Sequence, residues 1–152
     1  MTDIERVSKN NVITADKLQT QEALFAIAFA AGNIQLAAGL YHSEVVYLSP
    51  TVRLYDWPDR IEGIDKTLEF IQLTIDNSKN LTYQAVECAI VPANNSAFVR
   101  IHYDFCFGSE GSEHLRSNYI SLYRYRDGLI IQQEIYYDPS GKLEVLMQSP
   151  NA

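Results

Sequence analysis

Apolar positions along the chain follow two rhythms, and the change between them divides it. From Ala15 to Ala31 the period is helical: Leu18, Phe25 and Phe29 recur at turn spacing, with Leu24, Ile27, Ala28 and Ala31 beside them. Thr14 stands where an N-cap belongs and Gly32 where a left-handed stop belongs. Asn33 can cap a second helix over 34–41, rich in Ala and Leu. Residues 45–48 are β-branched and aromatic and read as a strand closed by Ser49-Pro50. A loop over 50–62 carries Tyr55, Trp57 and Pro58. A third helix follows Gly63, over 64–77, from the spacing of Ile64, Leu68, Ile71 and Ile75.

Beyond residue 81 the period shortens to that of strands. The pattern predicts strands over 81–91, 97–107, 115–125 and 129–137. Pro92 with Asn94-Asn95, the turn-forming run 108–112, and Asp127-Gly128 separate them. Pro139 and Gly141 break the last strand, and a terminal helical turn is expected over 142–147. Helices, a strand, a helix and then a run of long strands describe an α+β fold. A curved antiparallel sheet can wrap around the N-terminal helices and leave a cavity between. Residues 1–13 read as a flexible arm and 14–148 as one domain.

The formal net charge of −7, with no clustered Lys or Arg, makes nucleic acid and anionic membranes poor partners. The most apolar run, 23–31, is too short to span a bilayer, and the first 13 residues lack a signal-type apolar core. A cytoplasmic protein is the expectation. The two cysteines, Cys88 and Cys106, fall in strands and read as buried thiols acting as small hydrophobes. No pair of His, Cys or carboxylates has metal-ligand spacing, and no glycine loop cradles a phosphate, so neither metal nor cofactor is expected. Ten tyrosines are the unusual entry in the composition, suited to strands, interfaces and pockets.

Several stretches carry a family resemblance. Ala31-Gly32-Asn33, then Ala37-Ala38-Gly39-Leu40-Tyr41, then Val45-Val46-Tyr47-Leu48-Ser49-Pro50 resemble the opening of SnoaL-like and ketosteroid isomerase-like proteins. Glu62-Gly63-Ile64-Asp65 resembles the start of their third helix. The run from Tyr123 to Ile130, with Tyr136-Tyr137-Asp138-Pro139, resembles their last hairpin. The resemblance implies the cone-shaped nuclear transport factor 2-like fold and a small apolar molecule as ligand, while the density of apolar and aromatic residues on the long strands predicts a homodimer through the outer face of the sheet. It also locates the family's acid–base positions. The general-base aspartate of ketosteroid isomerases maps to Ser49, their oxyanion-hole aspartate to Ser121, and the acid–base aspartate of polyketide cyclases and limonene epoxide hydrolases to Ile135. None of these can trade a proton near neutral pH, so those reactions are not expected.

Arg100, His102 and Asp104 alternate on one predicted strand and therefore share a face with Cys106. Limonene epoxide hydrolases carry an arginine and an acid two residues apart on a comparable strand, and Arg100 and His102 resemble that pair with the acid replaced. If this face looks inward, His102 can act as base, Asp104 can orient it and Arg100 can hold an anionic oxygen. If the apolar face looks inward instead, the same three form cross-strand pairs outside. Tyr47, Tyr119 and Tyr123 can line a pocket or pack a core, and Trp57 can close a pocket mouth or anchor a surface loop. The site expected on this reading comprises Tyr47, Ser49, Trp57, Tyr119, Ser121, Tyr123 and Ile135 as ligand contacts. It belongs either to a binding module or to a cofactor-independent isomerase, cyclase or hydratase that uses His102.

Overall fold

The computed structural model describes residues 11–107 and 113–137. Helix α1 spans Ala15–Ala31. Thr14 Oγ1 accepts from the Lys17 amide at 3.2 Å and so satisfies one of the orphan donors of the first turn. Gly32 ends the helix at φ +67°, which lets the Asn33 amide fold back onto the Ala28 carbonyl at 2.9 Å. The segment Ile34–Leu40 is a 3-10 helix rather than the α-helix its composition suggests, capped by the Asn33 side chain on the Gln35 amide at 3.0 Å.

Strand β1, Tyr41–Leu48, begins four residues before the β-branched run. Its first residue, Tyr41, pairs with Ile130, and a register shift separates that pair from the ladder that resumes at Val46. A 3-10 turn over Pro50–Leu54 is capped by Ser49, with Pro50 in the first position, where its missing amide costs nothing. Strand β2 is the pair Ile61–Glu62, and helix α2 runs Ile64–Asp76. The long strands follow: β3 Lys79–Val91, β4 Ser96–Phe107, β5 Glu113–Arg126 and β6 Leu129–Tyr137. Asp127 and Gly128, at φ 55° and 77°, make the tight hairpin between the last two. The expected terminal turn, the N-terminal arm before residue 11 and the 108–112 turn lie outside the described residues.

The six strands form one unclosed curved sheet in the order β2-β1-β6-β5-β4-β3. Every pair is antiparallel except β1 with β6, so the sheet is mixed. Those two strands are distant in the chain, and no hairpin dictates their direction. Register shifts between Ala85 and Glu87 and between Arg124 and Tyr125 bend the sheet as bulges do. Both helices pack on the concave side. Phe25 of α1 reaches Tyr41, Tyr83 and Tyr123 at ring distances of 6.0, 6.3 and 6.1 Å, and Phe70 of α2 reaches Tyr47 at 5.9 Å. Each phenylalanine is almost wholly buried, and such burial contributes about 2–3 kcal/mol.

Candidate functional site

Strand parity decides which expected residues share the interior. On β4, Ala97, Val99, Ile101 and Tyr103 are buried against the helices. Arg100 and His102 are therefore exposed on the convex face, with Asp104 partly exposed beside them. Of the two faces the sequence left open for this trio, the structure takes the outer one, which leaves the catalytic role of Arg100, His102 and Asp104 without a cavity: a strand with one apolar face turns that face to the helices. The three form cross-strand pairs with β5. His102 Nδ1–H donates to Asn118 Oδ1, and Asp104 lies 3.9 Å from Arg116. The cysteines also differ from expectation. Cys88 is exposed on edge strand β3, where it stays paired with Val99 and lines an open groove beside α1, and Cys106 is only partly covered.

The expected ligand contacts lie together. Tyr119, Ser121, Tyr123 and Ile135 sit on the concave face of β5 and β6, all buried, with Tyr47 beside them across the parallel pair. Tyr119 pairs with Tyr137 and Ser121 with Ile135 in the same register. Gln133 ties this wall together: it accepts from the Tyr41 hydroxyl at 2.6 Å and donates to Ser121 Oγ at 3.3 Å. Ser49 is buried too, but its hydroxyl is engaged with Thr51 Oγ1 at 2.8 Å and with the Tyr47 and Tyr137 hydroxyls. Burial pushes the phenols of Tyr41, Tyr47, Tyr103, Tyr119 and Tyr123 well up from their ordinary range, so the wall is neutral. Trp57 is half-buried with its ring 5.2 Å from that of Phe70, an anchor for the 50–62 loop.

Among the described residues the one buried carboxyl is Glu22, which pattern reading passes over. It stands four residues after Leu18 and three before Phe25, on the stripe of α1 that faces the sheet. A carboxylate on the apolar stripe was the available signal. Glu22 is 5% exposed, and both oxygens are occupied: Tyr83 Oη donates to Oε1 at 2.6 Å and Gln21 Nε2 donates to Oε2 at 3.0 Å. Tyr123 also bonds to the carboxyl, and Tyr125 Oη holds Gln21 Oε1 at 2.7 Å. Burial raises the Glu22 carboxyl above its ordinary 4.5, against the opposing pull of the Tyr83, Gln21 and Tyr123 hydrogen bonds. Tyr83 is held in turn by Phe29, stacked on it at 4.7 Å.

Glu22 and Tyr83 open onto a groove of about 700 Å3 between α1 and β3. Its walls are largely apolar, with Leu18, Ala23 and Ala26 from the helix and Ala85 and Ile90 from the strand. Gln19, Gln84 and Glu87 add polar groups beside the Glu22–Tyr83 pair, and a largely apolar groove with a few polar groups is the usual form of a small-molecule site. Among the described residues no three His, Cys, Asp or Glu side chains gather as metal ligands.

The helix-filled, cone-like sheet defines the nuclear transport factor 2-like class. The chain superimposes on a steroid delta-isomerase from Pseudomonas aeruginosa with a TM-score of 0.63, at 15% identity, covering 91% of this chain and 90% of that one. It also matches TsrD from Streptomyces laurentii at a TM-score of 0.68, with 17% identity and 92% and 98% coverage. A protein of ketosteroid isomerase-like fold from Catenulispora acidiphila, crystallised with trimethylamine, gives 0.67, 14% identity and 87% and 92% coverage. No curated protein matches the sequence. The family model for the SnoaL-like domain matches residues 22–133, and the chain belongs to that family.

Proposed function

We propose that this SnoaL-like domain binds a small, largely apolar molecule in the groove between α1 and β3. The observation that carries the reading is Glu22: a buried carboxyl, hydrogen-bonded on both oxygens, that lines a largely apolar groove. Perturbed acids concentrate at functional sites because burial that stabilises nothing else is selected for a task. The names of the structural neighbours, a steroid delta-isomerase and a complex with trimethylamine, support small molecules as the ligand class. The enzyme reading with His102 as base requires an imidazole within reach of the ligand, whereas His102 is exposed on the convex face. The binding-module reading is therefore the one we adopt.

The domain is further proposed to be a cytoplasmic homodimer joined through the convex face of the sheet. Among the described residues no helix is long and apolar enough to cross a membrane. The binding reading is tested by mass spectrometry of what co-purifies with the wild type, with Ala26→Trp and with His102→Ala. The ligand is expected to be lost from Ala26→Trp, whose indole fills the groove, and kept by His102→Ala. Retention by a folded Ala26→Trp protein overturns the groove as the site.

A further inference from the structure

We infer that Tyr83 is a hydrogen-bond donor to the ligand that Glu22 switches on and off, so that the groove selects apolar molecules carrying a carbonyl oxygen. The inference rests on the groove being the binding site. Its origin is the way donors and acceptors are distributed. Gln21 Nε2 can only donate, so it reserves Glu22 Oε2 as an acceptor. At its far end Gln21 Oε1 accepts from Tyr125 Oη at 2.7 Å, so this orientation of the amide satisfies both of its ends. A proton on the Glu22 carboxyl therefore belongs on Oε1, facing Tyr83 Oη at 2.6 Å.

Two states follow. With Glu22 ionised, the Tyr83 hydroxyl hydrogen is committed to Oε1, and the ligand meets only oxygen lone pairs. With Glu22 protonated, the carboxyl donates to Tyr83 Oη, and the phenol hydrogen is released to turn into the groove that Tyr83 lines. No bond other than O–H···O is made or broken, and the proton is taken up from water. A ketone, aldehyde or ester oxygen completes the second state. A hydrocarbon of the same shape completes neither, and a buried donor left without a partner is costly.

Glu22 is also faced by Tyr41 from β1, by Tyr123 and Tyr125 from β5 and by Cys88 from β3, whose own titrations burial drives upward. Glu87 lines the same groove from β3. Two carboxyls therefore line the groove, and mutation separates them. Phe29 stacks on the Tyr83 ring at 4.7 Å and Phe25 packs near it at 6.3 Å, so the hydroxyl rotates while the ring stays in place.

The experiment measures dissociation constants of acetylnaphthalene and ethylnaphthalene, which differ in one carbonyl, from acid to mildly alkaline pH. Acetylnaphthalene is expected to bind about tenfold tighter below the Glu22 titration, the worth of one good hydrogen bond, and to lose that preference above it. Glu22→Gln, whose amide donates to Tyr83 as the protonated acid does, keeps the preference at every pH. Tyr83→Phe abolishes it while still binding ethylnaphthalene, and Glu87→Gln leaves the wild-type profile in place. Equal affinity of the two naphthalenes in the wild type at every pH, with both lost in Ala26→Trp, overturns this inference and leaves the groove standing. Binding of both unaffected by Ala26→Trp, or binding of neither, overturns the groove reading and this inference with it. As a check independent of any ligand, the isotope-labelled Glu22 carboxyl resonance must titrate above 4.5; an ordinary titration overturns the switch.

Discussion

Two polar groups inside the fold show how one side chain's surroundings decide its role. Glu22 is buried yet fully hydrogen-bonded, and desolvation outweighs those bonds and raises its pKa. The consequence for stability has a definite sign. Below the ordinary value of 4.5 the carboxyl is neutral in both the folded and unfolded chain, and it costs nothing. As pH rises, the unfolded chain ionises first, so the folded state loses stability until the pH passes the folded pKa. Denaturant unfolding of the wild type and of Glu22→Gln between about pH 4 and pH 8 should show the wild type falling relative to the variant. Parallel curves would mean that Glu22 titrates as an exposed carboxyl does. Thr67 is the contrasting case: its hydroxyl on α2 is wholly buried and has no partner. Thr67→Val keeps the shape and removes the orphan, so the variant is expected to gain up to about 1 kcal/mol in thermal or denaturant unfolding. A loss of stability would reveal a partner for the hydroxyl.

At the scale of elements, alternation and capping account for most boundaries. Thr14, Gly32 and Asn33 are legible in the sequence because each satisfies a backbone group that a helix end leaves open. Gly32 holds a left-handed φ of +67°, and a Cβ there would meet nothing closer than Ile75 Cγ2 at 4.0 Å. The cost of Gly32→Ala is thus backbone conformation alone, expected at about 1 kcal/mol in equilibrium unfolding. A larger loss would point to a clash that the spacing does not contain. The start of β1 and the 3-10 character of Ile34–Leu40 were not legible, because pairing and packing set them and local propensity did not oppose either. Parity on β4 was legible only as a choice between two faces. Once α1 lies on the sheet, Val99 and Ile101 go inside and His102 goes out.

For the whole molecule, the convex face poses the main assembly question. Phe98, Ile120 and Tyr136 stand exposed there at 40%, 41% and 54%. Ile120 is in register with Tyr136 on one side and with Arg100 on the other. Apolar residues grouped across three strands and rimmed by charge suit contact with a second copy. Sedimentation at micromolar concentration is expected to give a dimer, and Ile120→Arg a folded monomer that retains the groove; a monomeric wild type rejects the interface. The sequence by itself determined the α+β order, the helix caps, the last hairpin and the family, since these depend on local period and turn chemistry. It also singled out Tyr47, Tyr119 and Tyr123 by residue type and Ser121 and Ile135 by family position, all on the concave wall, though none of them lines the α1–β3 groove. Only the tertiary structure decided that His102 faces outward, that β1 runs parallel to β6, and that Glu22, Gln21, Tyr83 and Tyr125 meet. Those outcomes depend on which surfaces are stacked and on contacts between residues as far apart as Gln21 and Tyr125, and no period along a single chain records them.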